Sequence, residues 1–463
     1  MEPSADAYTN AAAAGVNYGS TQRMYADGDG TAPVMRSYLK FDLSAYAGAT
    51  LSGAALQVHT DVSPGASAES YAIRSVPDSS WTESGLTWSN QPALGDRIGS
   101  VSAPHPDLTQ TVPLDKDAVQ AALGGDLSLA IEGAANDGLT IASRNHKTMA
   151  HPHLLLSFRS SGHEDPVVWA VGDLCDDSHA CADTANLIQS DGAVSAVLMA
   201  GDVAYKDGTD ADFASLDDYF GSRLLMDGSS IASKALPTPG NHEYHTPYAA
   251  GYFNYFANSK GLTFVGRSDR SWYAKDIGNW RIISVNSNYA EEPGATCNTW
   301  CQAGVTSTAP AAGGLTATQV AQQRRFLAAQ LYDAQSRGMG TIVMDHHPAL
   351  TDGDYTPGTR LGRDLFTLAA RRGAELFISG HSHNLQRFTP RGAGGRPNPA
   401  GVAQYVVGGG GREPMDVFTD SAAAWQENTR HGAARIVLHN DSAEVTFKAD
   451  DGSILDSSTV PIH

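Results

Sequence analysis

The sequence predicts two domains of different fold class, an all-β sandwich of jelly-roll type over residues 1–158 and an α/β domain over residues 166–463. In the first part, short runs of alternating polar and apolar residues are separated by clusters of Gly, Pro, Ser and Asp, a pattern typical of strands and turns. In the second part, continuous apolar runs alternate with helical segments, which indicates an α/β core. The polar segment RSSGHED, residues 159–165, is predicted to be a linker.

The first part contains runs such as RSYLKFDLS and AALQVHT, whose regular spacing is typical of a β-sandwich. Only DKDAVQAALGG, residues 115–125, has a helical pattern there, and it ends in glycine. In the second part, VVWAVG, AVSAVLMAG, GTIVMD and AELFISG are predicted to be buried strands. CADTANLIQSDG and ATQVAQQRRFLAAQLYDAQSRG are predicted helices, the latter with Leu327 and Leu331 on its apolar face. Strand patterns return after residue 403.

The composition excludes some classes of function. Fifty acidic residues against 31 basic ones give a net charge of −19, and no long basic run offsets it, so we expect no nucleic-acid-binding surface. No apolar run reaches the about 18 residues of a membrane span, so none is expected. The start, MEPSADAYTN, has neither a basic nor an apolar signal region, so a signal peptide is expected to be absent or already removed.

The four cysteines fall in two close pairs, Cys175 with Cys181 and Cys297 with Cys301. Four cysteines allow three pairings, and closeness in sequence favours disulfides within each pair. Disulfides would indicate an exported protein, whereas the alternative is four reduced thiols in a cytosolic enzyme.

Polar residues follow five predicted strand ends or loops: Asp173, Asp202, Asn241, His346 with His347, and His381 with His383. Ligand sites of α/β sheets form at the carboxyl ends of the strands, so we expect these side chains to meet at one rim. Carboxylates, imidazoles and an amide oxygen are the ligands that two adjacent cations need. Two such ions can stabilise both the attacking and the leaving oxygen in phosphoryl transfer.

The ordered set GD…GDxxY…GNHE…HHP…GHxH resembles the calcineurin-like metallophosphoesterase superfamily, and within it the secreted bacterial branch related to purple acid phosphatases. The resemblance extends over about residues 166–460. It implies a two-sheet β-sandwich core flanked by helices. It also implies a secreted phosphoesterase that uses a metal-activated hydroxide as the nucleophile.

Carried over residue by residue, the resemblance implies two metal sites that share Asp202. The first would hold iron(III) and the second zinc, iron(II) or manganese. The first set is Asp173, Asp202, Tyr205 and His383, and the second is Asp202, Asn241, His346 and His381. His242 would contact the phosphate or protonate the leaving oxygen. His347 and His245 are further catalytic candidates for the same pocket.

Three positions depart from the family pattern. Many relatives carry His two residues after the first Asp, where this chain has Cys175, and the resemblance implies that Tyr205 coordinates in its place. A thiolate ligand at Cys175 is the alternative. In the last motif, GHSHNLQR, Leu385 replaces an aromatic residue and Arg387 is kept. Together with the unusual Asp345 before the His pair, this leaves the shape of the pocket and the substrate open.

RSYLKFDLS and the later SSWTESGLTWSNQP resemble the DNRLRE-type β-sandwich modules, which are similar to carbohydrate-binding modules of secreted proteins. A glycan is therefore a possible partner of residues 1–158, and a spacer role is the alternative. Trp81 and Trp88 are expected to be structural, and no sugar-contacting residues are assigned.

The function expected from these patterns is acid-phosphatase-like hydrolysis of phosphomonoesters, with a small phosphate ester as substrate. Hydrolysis of diesters, nucleotides or pyrophosphate on the same site is an alternative. A second is a glycan-binding surface protein whose metal domain is inactive.

Overall fold

The computed structural model of the protein describes residues 1–28, 34–61, 70–102, 104, 106–133, 138–158, 165–289, 314–353, 358–418 and 422–463. The chain divides into two compact units. In its described part, the first unit contains β1 (Ala5–Asn10), β2 (Arg23–Ala26), β3 (Met35–Asp42), β4 (Leu51–His59), β5 (Ser70–Ser75), β6 (Arg97–Ser102), β7 (Thr109–Pro113), α1 (Lys116–Gln120), β8 (Asp126–Glu132), β9 (Leu139–Ala142) and β10 (His153–Phe158).

The strands of the first unit form an antiparallel sandwich. One sheet has the order β1-β3-β8-β5-β6, a second has β10-β4-β7, and β2 pairs with β9. Their apolar faces enclose one core, to which β3 contributes Leu39 and Phe41 and β4 contributes Leu56 and Val58. The predicted all-β sandwich is confirmed.

Trp81 belongs to the interior of this unit. It is 8% exposed, and its indole nitrogen donates a hydrogen bond to Oγ of Ser128 at 3.2 Å. The guanidinium of Arg36 lies over the ring of Trp88, 5.1 Å from its centroid. Trp81 is therefore a structural residue, as expected from its place in the fold signature.

The second unit is an α/β domain with two sheets. Within the described ranges its elements are β11 (Val167–Val171), α2 (Ser178–Gln189), β12 (Val194–Ala200), α3 (Asp210–Leu216), β13 (Ala235–Thr238), α4 (Ala250–Phe253), β14 (Tyr273–Ile277), β15 (Trp280–Ser284), α5 (Ala317–Ser336), β16 (Gly340–Met344), α6 (Arg360–Arg371), β17 (Leu376–Ser379), β18 (Leu385–Arg387), β19 (Ala403–Val407), β20 (Trp425–Glu427), β21 (Gly432–Leu438), β22 (Ser442–Ala449) and β23 (Ile454–Pro461).

The two sheets of this unit have the orders β13-β12-β11-β21-β22-β23 and β14-β15-β16-β17-β19-β18-β20. Strands β11, β12 and β13 run parallel in the first sheet, and β15, β16 and β17 run parallel in the second. Helices α5 and α6 cover the second sheet, where Leu331 and Phe366 pack with Val343 and Phe377. The predicted α/β class and its flanking helices are confirmed.

Helix α2 begins three residues before the predicted CADTANLIQSDG segment. The side chain of Asp177 accepts hydrogen bonds from the backbone nitrogens of His179 and Ala180, at 2.8 and 3.3 Å. Such an N-cap stabilises the first turn, which explains the earlier start. None of the helices in the described ranges combines the length and apolar character needed to cross a lipid bilayer.

Candidate metal centre

Both sheets of the second unit bring side chains to one place. The strands β11, β12 and β13 are followed by Asp173, Asp202 and Asn241, and β16 and β17 are followed by histidines. Nδ1 of His346 lies 2.8 Å from the carbonyl oxygen of Ala200, which joins the end of β16 to the end of β12. The structure therefore brings these strand-end residues together at one rim, as the sequence predicts.

The backbone turns sharply where these strands end. Asp173, Asp202 and His381 have φ angles of 58°, 48° and 68°, in the left-handed region that residues with side chains rarely adopt. Strained backbone of this kind is concentrated at functional sites, because the surrounding structure must hold it there.

The first predicted set of ligands converges on the phenol oxygen of Tyr205. This oxygen lies 3.1 Å from Oδ1 of Asp173, 3.5 Å from Oδ2 of Asp202 and 3.4 Å from Nε2 of His383. Tyr205 is 6% exposed, so the cluster is largely shielded from water.

The second predicted set converges on Nε2 of His346. This nitrogen lies 3.0 Å from Oδ1 of Asn241, 3.2 Å from Nδ1 of His381 and 3.2 Å from Oδ2 of Asp202. Oδ2 of Asp202 therefore belongs to both sets, which is the geometry of a bridging ligand.

The donor set fits two metal ions. Asp173, Asp202 and His346 each offer a ligand atom within 4.8 Å of the others, and so do His346, His347 and His381. Two carboxylates buried side by side require a compensating positive charge. Carboxylate and phenol oxygens suit a hard ion, and the imidazoles with an amide oxygen suit a borderline divalent ion.

The electrostatics of the cluster differ between its members. Against the effect of burial, the charge of Asp202 raises the pKa of His346 to about 10, which favours the protonated imidazole. Burial raises the pKa of Asp173 well above its usual range. Against the effect of burial, the charges of His346 and His242 hold the pKa of Asp202 well below its usual range. Burial lowers the pKa of His383 to about 4 and lowers the pKa of His381 as well. Both imidazoles are therefore neutral near pH 7, the form that binds metal ions.

The three candidate catalytic histidines lie at different depths. Nδ1 of His242 contacts the carbonyl oxygen of Lys206 at 2.5 Å, and its Nε2 lies 3.9 Å from Oδ2 of Asp202. The ring of His245 lies 4.6 Å from that of His242, and its Nδ1 is 3.1 Å from Oδ1 of Asp207. Nε2 of His242 thus faces the carboxylate of Asp202.

His347 is buried, and one of its ring nitrogens lies within 4.8 Å of ligand atoms of His346 and His381. Its Nδ1 lies 2.9 Å from Oγ of Ser287, and its ring centroid lies 4.5 Å from that of His381. Burial, together with the charge of His346, lowers the pKa of His347 to about 3. His347 is therefore neutral, with one nitrogen occupied by the serine.

Glu243 is a functional residue that the sequence analysis missed. Its carboxylate is fully buried and accepts hydrogen bonds from the backbone nitrogens of Asp202, Val203, Ala204 and Gly240, at 2.9, 2.9, 3.2 and 2.6 Å. The loop that carries Asp202 and the loop that carries Asn241 are thereby held together. The only signal in the sequence was the acidic residue that closes GNHE.

Arg412 was also missed. Its guanidinium carbon lies 5.1 Å from the centroid of the Tyr205 ring, its side chain pairs with Asp176, and its backbone nitrogen donates to the carbonyl oxygen of Asp173 at 3.0 Å.

Cys175 and Cys181 form a disulfide, which confirms the first predicted pairing. Asp176 lies inside the loop that this disulfide closes. Because Cys175 is in the disulfide, a thiolate ligand at this position is excluded while the bond is intact. The second predicted pair, Cys297 and Cys301, lies outside the described residues.

The run of four glycines before Arg412 has a steric cause. A Cβ atom at Gly408 would stand 2.9 Å from Oδ2 of Asp173, and one at Gly410 would stand 2.5 Å from the carbonyl oxygen of Gly172. Only a chain without side chains can pass this close beneath the turn that carries Asp173.

Comparison with known families agrees with the geometry. Residues 166–385 match the family model described as calcineurin-like phosphoesterase, and residues 1–158 match that of carbohydrate-binding module family 96. Residues 166–385 form a calcineurin-like phosphoesterase domain. This phosphoesterase domain is metal-dependent, and its clustered His and Asp residues indicate a site for two ions.

Solved structures similar to this chain include two phosphatases. A purple acid phosphatase from yellow lupin seeds has 14% sequence identity and a TM-score of 0.47, over 95% of this chain and 74% of that one. A dimetal phosphatase from Danio rerio has 13% identity and a TM-score of 0.44, over 65% of this chain and 100% of that one. GAP50, the anchor in the inner membrane complex of Plasmodium, has 14% identity and a TM-score of 0.46, over 65% of this chain and 90% of that one. No curated protein matches by sequence.

Leu385, which departs from the last family motif, and Arg387, which is kept, both have structural roles. Leu385 is fully buried in β18. Arg387 forms two hydrogen bonds with Asp456, at 2.6 and 3.0 Å, between its Nε and Nη2 atoms and the two carboxylate oxygens. The kept arginine therefore braces β18 against the C-terminal part of the domain.

Proposed function

We propose that the protein is a binuclear phosphoesterase that hydrolyses phosphomonoesters, in the manner of an acid phosphatase. The observation that carries this proposal is the position of Oδ2 of Asp202, 3.5 Å from the phenol oxygen of Tyr205 and 3.2 Å from Nε2 of His346. When bound, two ions would supply Lewis-acid activation of a water nucleophile and neutralise the charge of the phosphoryl oxygens.

The residues divide between the two ions as their contacts suggest. We assign iron(III) to the set centred on the phenol of Tyr205, because a phenolate and carboxylates favour a hard trivalent ion. Zinc, iron(II) or manganese is assigned to the set centred on His346. The first set is Asp173, Asp202, Tyr205 and His383, and the second is Asp202, Asn241, His346 and His381.

His242 is proposed to act on the substrate. The carbonyl oxygen of Lys206 favours a proton on Nδ1 of His242, which leaves Nε2 directed at the centre. From there it can contact the phosphate or deliver a proton to the leaving oxygen once protonated. His245 and His347 are proposed to support the pocket.

We further propose that residues 1–158 form an independent module that binds a glycan, and that the protein is exported. The family match of this region supports the first point, and the Cys175–Cys181 disulfide supports the second. Residues 159–165 would be the linker, and residues 166–463 the catalytic domain.

The test combines metal analysis with a panel of phosphate esters. We expect two ions per chain and hydrolysis of monoesters by the full chain and by residues 166–463 alone, because all proposed ligands lie in that segment. Preference for diesters, nucleotides or pyrophosphate would support the alternative substrate class. A chain that carries both ions and hydrolyses none of these esters would contradict the proposed function and favour a glycan-binding role.

A further inference from the structure

Two partly exposed basic residues flank Tyr205. Arg412 places its guanidinium over the Tyr205 ring, and the ring of His242 lies 4.5 Å from the ring of Tyr205. The side chains of Arg412 and His242 are 28% and 20% exposed, whereas that of Asp202 is 1% exposed. Arg412 and His242 are therefore more exposed than the carboxylate of Asp202, and both contact the ring of Tyr205.

Arg412 has hydrogen-bond donors to spare. A guanidinium carries five N–H groups in a planar fork, and in Arg412 the Nη1 group donates a hydrogen bond to Asp176. Nε of Arg412 is shielded from solvent and has no hydrogen-bond partner among the described residues. Because Nε is buried, a ligand can meet only the terminal N–H groups of this side chain, which is 28% exposed. A guanidinium beside a site for phosphoryl groups is suited to bind phosphate oxygens, because the fork matches their geometry.

The position of Arg412 is fixed by the loop that it contacts. Asp176, its partner, is enclosed by the Cys175–Cys181 disulfide. Gly411 passes so close to this loop that a Cβ atom there would stand 3.1 and 3.3 Å from the backbone nitrogens of Cys181 and Cys175. The guanidinium is thereby held in place before a ligand arrives, which lowers the entropic cost of binding.

We propose that Arg412 binds a non-bridging oxygen of the substrate's phosphoryl group and is the residue that favours monoesters over diesters. A monoester dianion carries one more negative charge than a diester monoanion, so an added cation in an acidic protein favours the dianion. This inference rests on the proposed function, and it adds a residue that stands outside both sets of proposed metal ligands.

The experiment compares Arg412→Met and Arg412→Lys with wild type, as metal-loaded full-length protein. Arg324→Met, in α5, is the matched control for the loss of an arginine. Calorimetry gives the Kd of inorganic phosphate. Kinetics give kcat/KM for p-nitrophenyl phosphate and bis-p-nitrophenyl phosphate, which share a leaving group. Metal content is measured on the same samples.

We expect Arg412→Met to keep its metals and to raise the Kd of phosphate about tenfold or more. Its kcat/KM should fall further for the monoester than for the diester. Arg412→Lys, which keeps the charge and loses the fork, should show a smaller increase in Kd, and it supplies the decisive measurement if Arg412→Met does not fold. Arg324→Met should match wild type.

An unchanged Kd of phosphate in the folded variants would overturn the proposal. Equal losses of kcat/KM for the two esters, or a loss of bound metal, would also overturn it. Either result would mean that Arg412 positions Tyr205 and does not bind the phosphoryl group. If wild type hydrolyses neither ester, the proposed function fails, and the phosphate Kd values still decide whether Arg412 binds the anion.

Discussion

The phenol oxygen of Tyr205 donates a hydrogen bond to Oδ1 of Asp173, 3.1 Å away, although the two residues follow different strands. If this phenol is a ligand of iron(III), the oxidised protein should be coloured by phenolate-to-metal charge transfer. Tyr205→Phe should abolish the absorption band and lower kcat by roughly tenfold or more, because one ligand of the first ion is lost. Visible absorption and steady-state kinetics of the iron-loaded protein test this.

Tyr244→Phe is the matched control for the loss of a buried phenol, since the hydroxyl of Tyr244 contacts Nδ2 of Asn286 at 2.7 Å and no proposed ligand. The charge-transfer absorption band should persist in Tyr244→Phe. A band that survives in Tyr205→Phe, or an experimental structure with the Tyr205 oxygen beyond bonding distance of an occupied ion, would refute coordination by this residue.

Asp202 is expected to be required for both ions. Asp202→Ala should lose both ions after dialysis, because its Oδ2 belongs to both sets of contacts. Asp173→Ala should lose mainly the first ion, since its carboxylate contacts Tyr205 and lies 3.6 Å from His383. Elemental analysis of the two variants distinguishes them, and two ions retained in Asp202→Ala would show that the bridging assignment is wrong.

Glu243→Gln should weaken metal binding without touching a proposed ligand. An amide offers one acceptor oxygen where the carboxylate now serves four backbone donors, so the loop of Asp202 should loosen. We expect a loss of about 2 kcal/mol or more in the free energy of unfolding and weaker retention of both ions. Thermal denaturation and metal retention measure the two effects.

Glu375→Gln provides the comparison for that variant. Glu375 is a buried carboxylate that accepts from the backbone nitrogen and the hydroxyl of Thr341, at 2.8 and 2.7 Å, away from the candidate ligands. It should lower stability and leave the metal content unchanged. Equal metal loss in both variants would mean that Glu243 acts only through global stability.

The cysteine pairing is open to direct measurement. Mass spectrometry of non-reduced peptides from protein made under oxidising conditions should show the Cys175–Cys181 link, whose Cα atoms lie 4.8 Å apart. We predict a second link between Cys297 and Cys301. Four free thiols would be incompatible with export as a disulfide-bonded protein.

A buried carboxyl in the first unit should make stability depend on pH. Burial raises the pKa of Asp6 to about 6, although the backbone nitrogen of Arg144 donates to it at 2.7 Å. Below the unfolded pKa of about 3.9, both states hold the proton and there is no penalty. As pH rises from there to about 6, the unfolded state ionises while burial keeps the carboxyl of the folded state protonated, so stability falls; above about 6 both states are ionised and stability stays constant.

Asp6→Asn removes this penalty, because an amide oxygen can still accept from Arg144. The free energy of unfolding should rise by the order of 2 kcal/mol at pH 7 and change little at pH 4. Calorimetry of the full chain at the two pH values gives the difference. An identical gain at both values would indicate a packing effect rather than an electrostatic one.

The strand ends were predictable because their chemistry is local. Asp173, Asp202 and His346 each follow an apolar run, and parallel strands deliver such residues to one edge whatever the loops between them do. The role of Glu243 was not predictable in the same way. Its four donors come from two turns that meet only in the folded chain, so no periodicity or spacing reports them.

Arg412 was hidden for a related reason. Its partner Asp176 lies 236 positions away in the sequence, and the GGGG run before it resembles an ordinary flexible loop until its steric neighbours are known. The start of α2 also depended on a single capping contact at Asp177. Sequence patterns therefore identified the proposed metal ligands, whereas the residues that hold them in place required tertiary contacts.

The pairing of β11 with β21 has a consequence for biosynthesis. β11 lies between β12 and β21, so the first strand of the phosphoesterase domain keeps an open edge until residues 432–438 have been translated. The sandwich strands, by contrast, all lie within residues 5–158 and can fold first. All seven proposed ligands precede residue 385, yet a chain truncated there would lack β21 and expose an unpaired strand edge prone to aggregation. We therefore expect stable metal loading to require translation of residues 432–438.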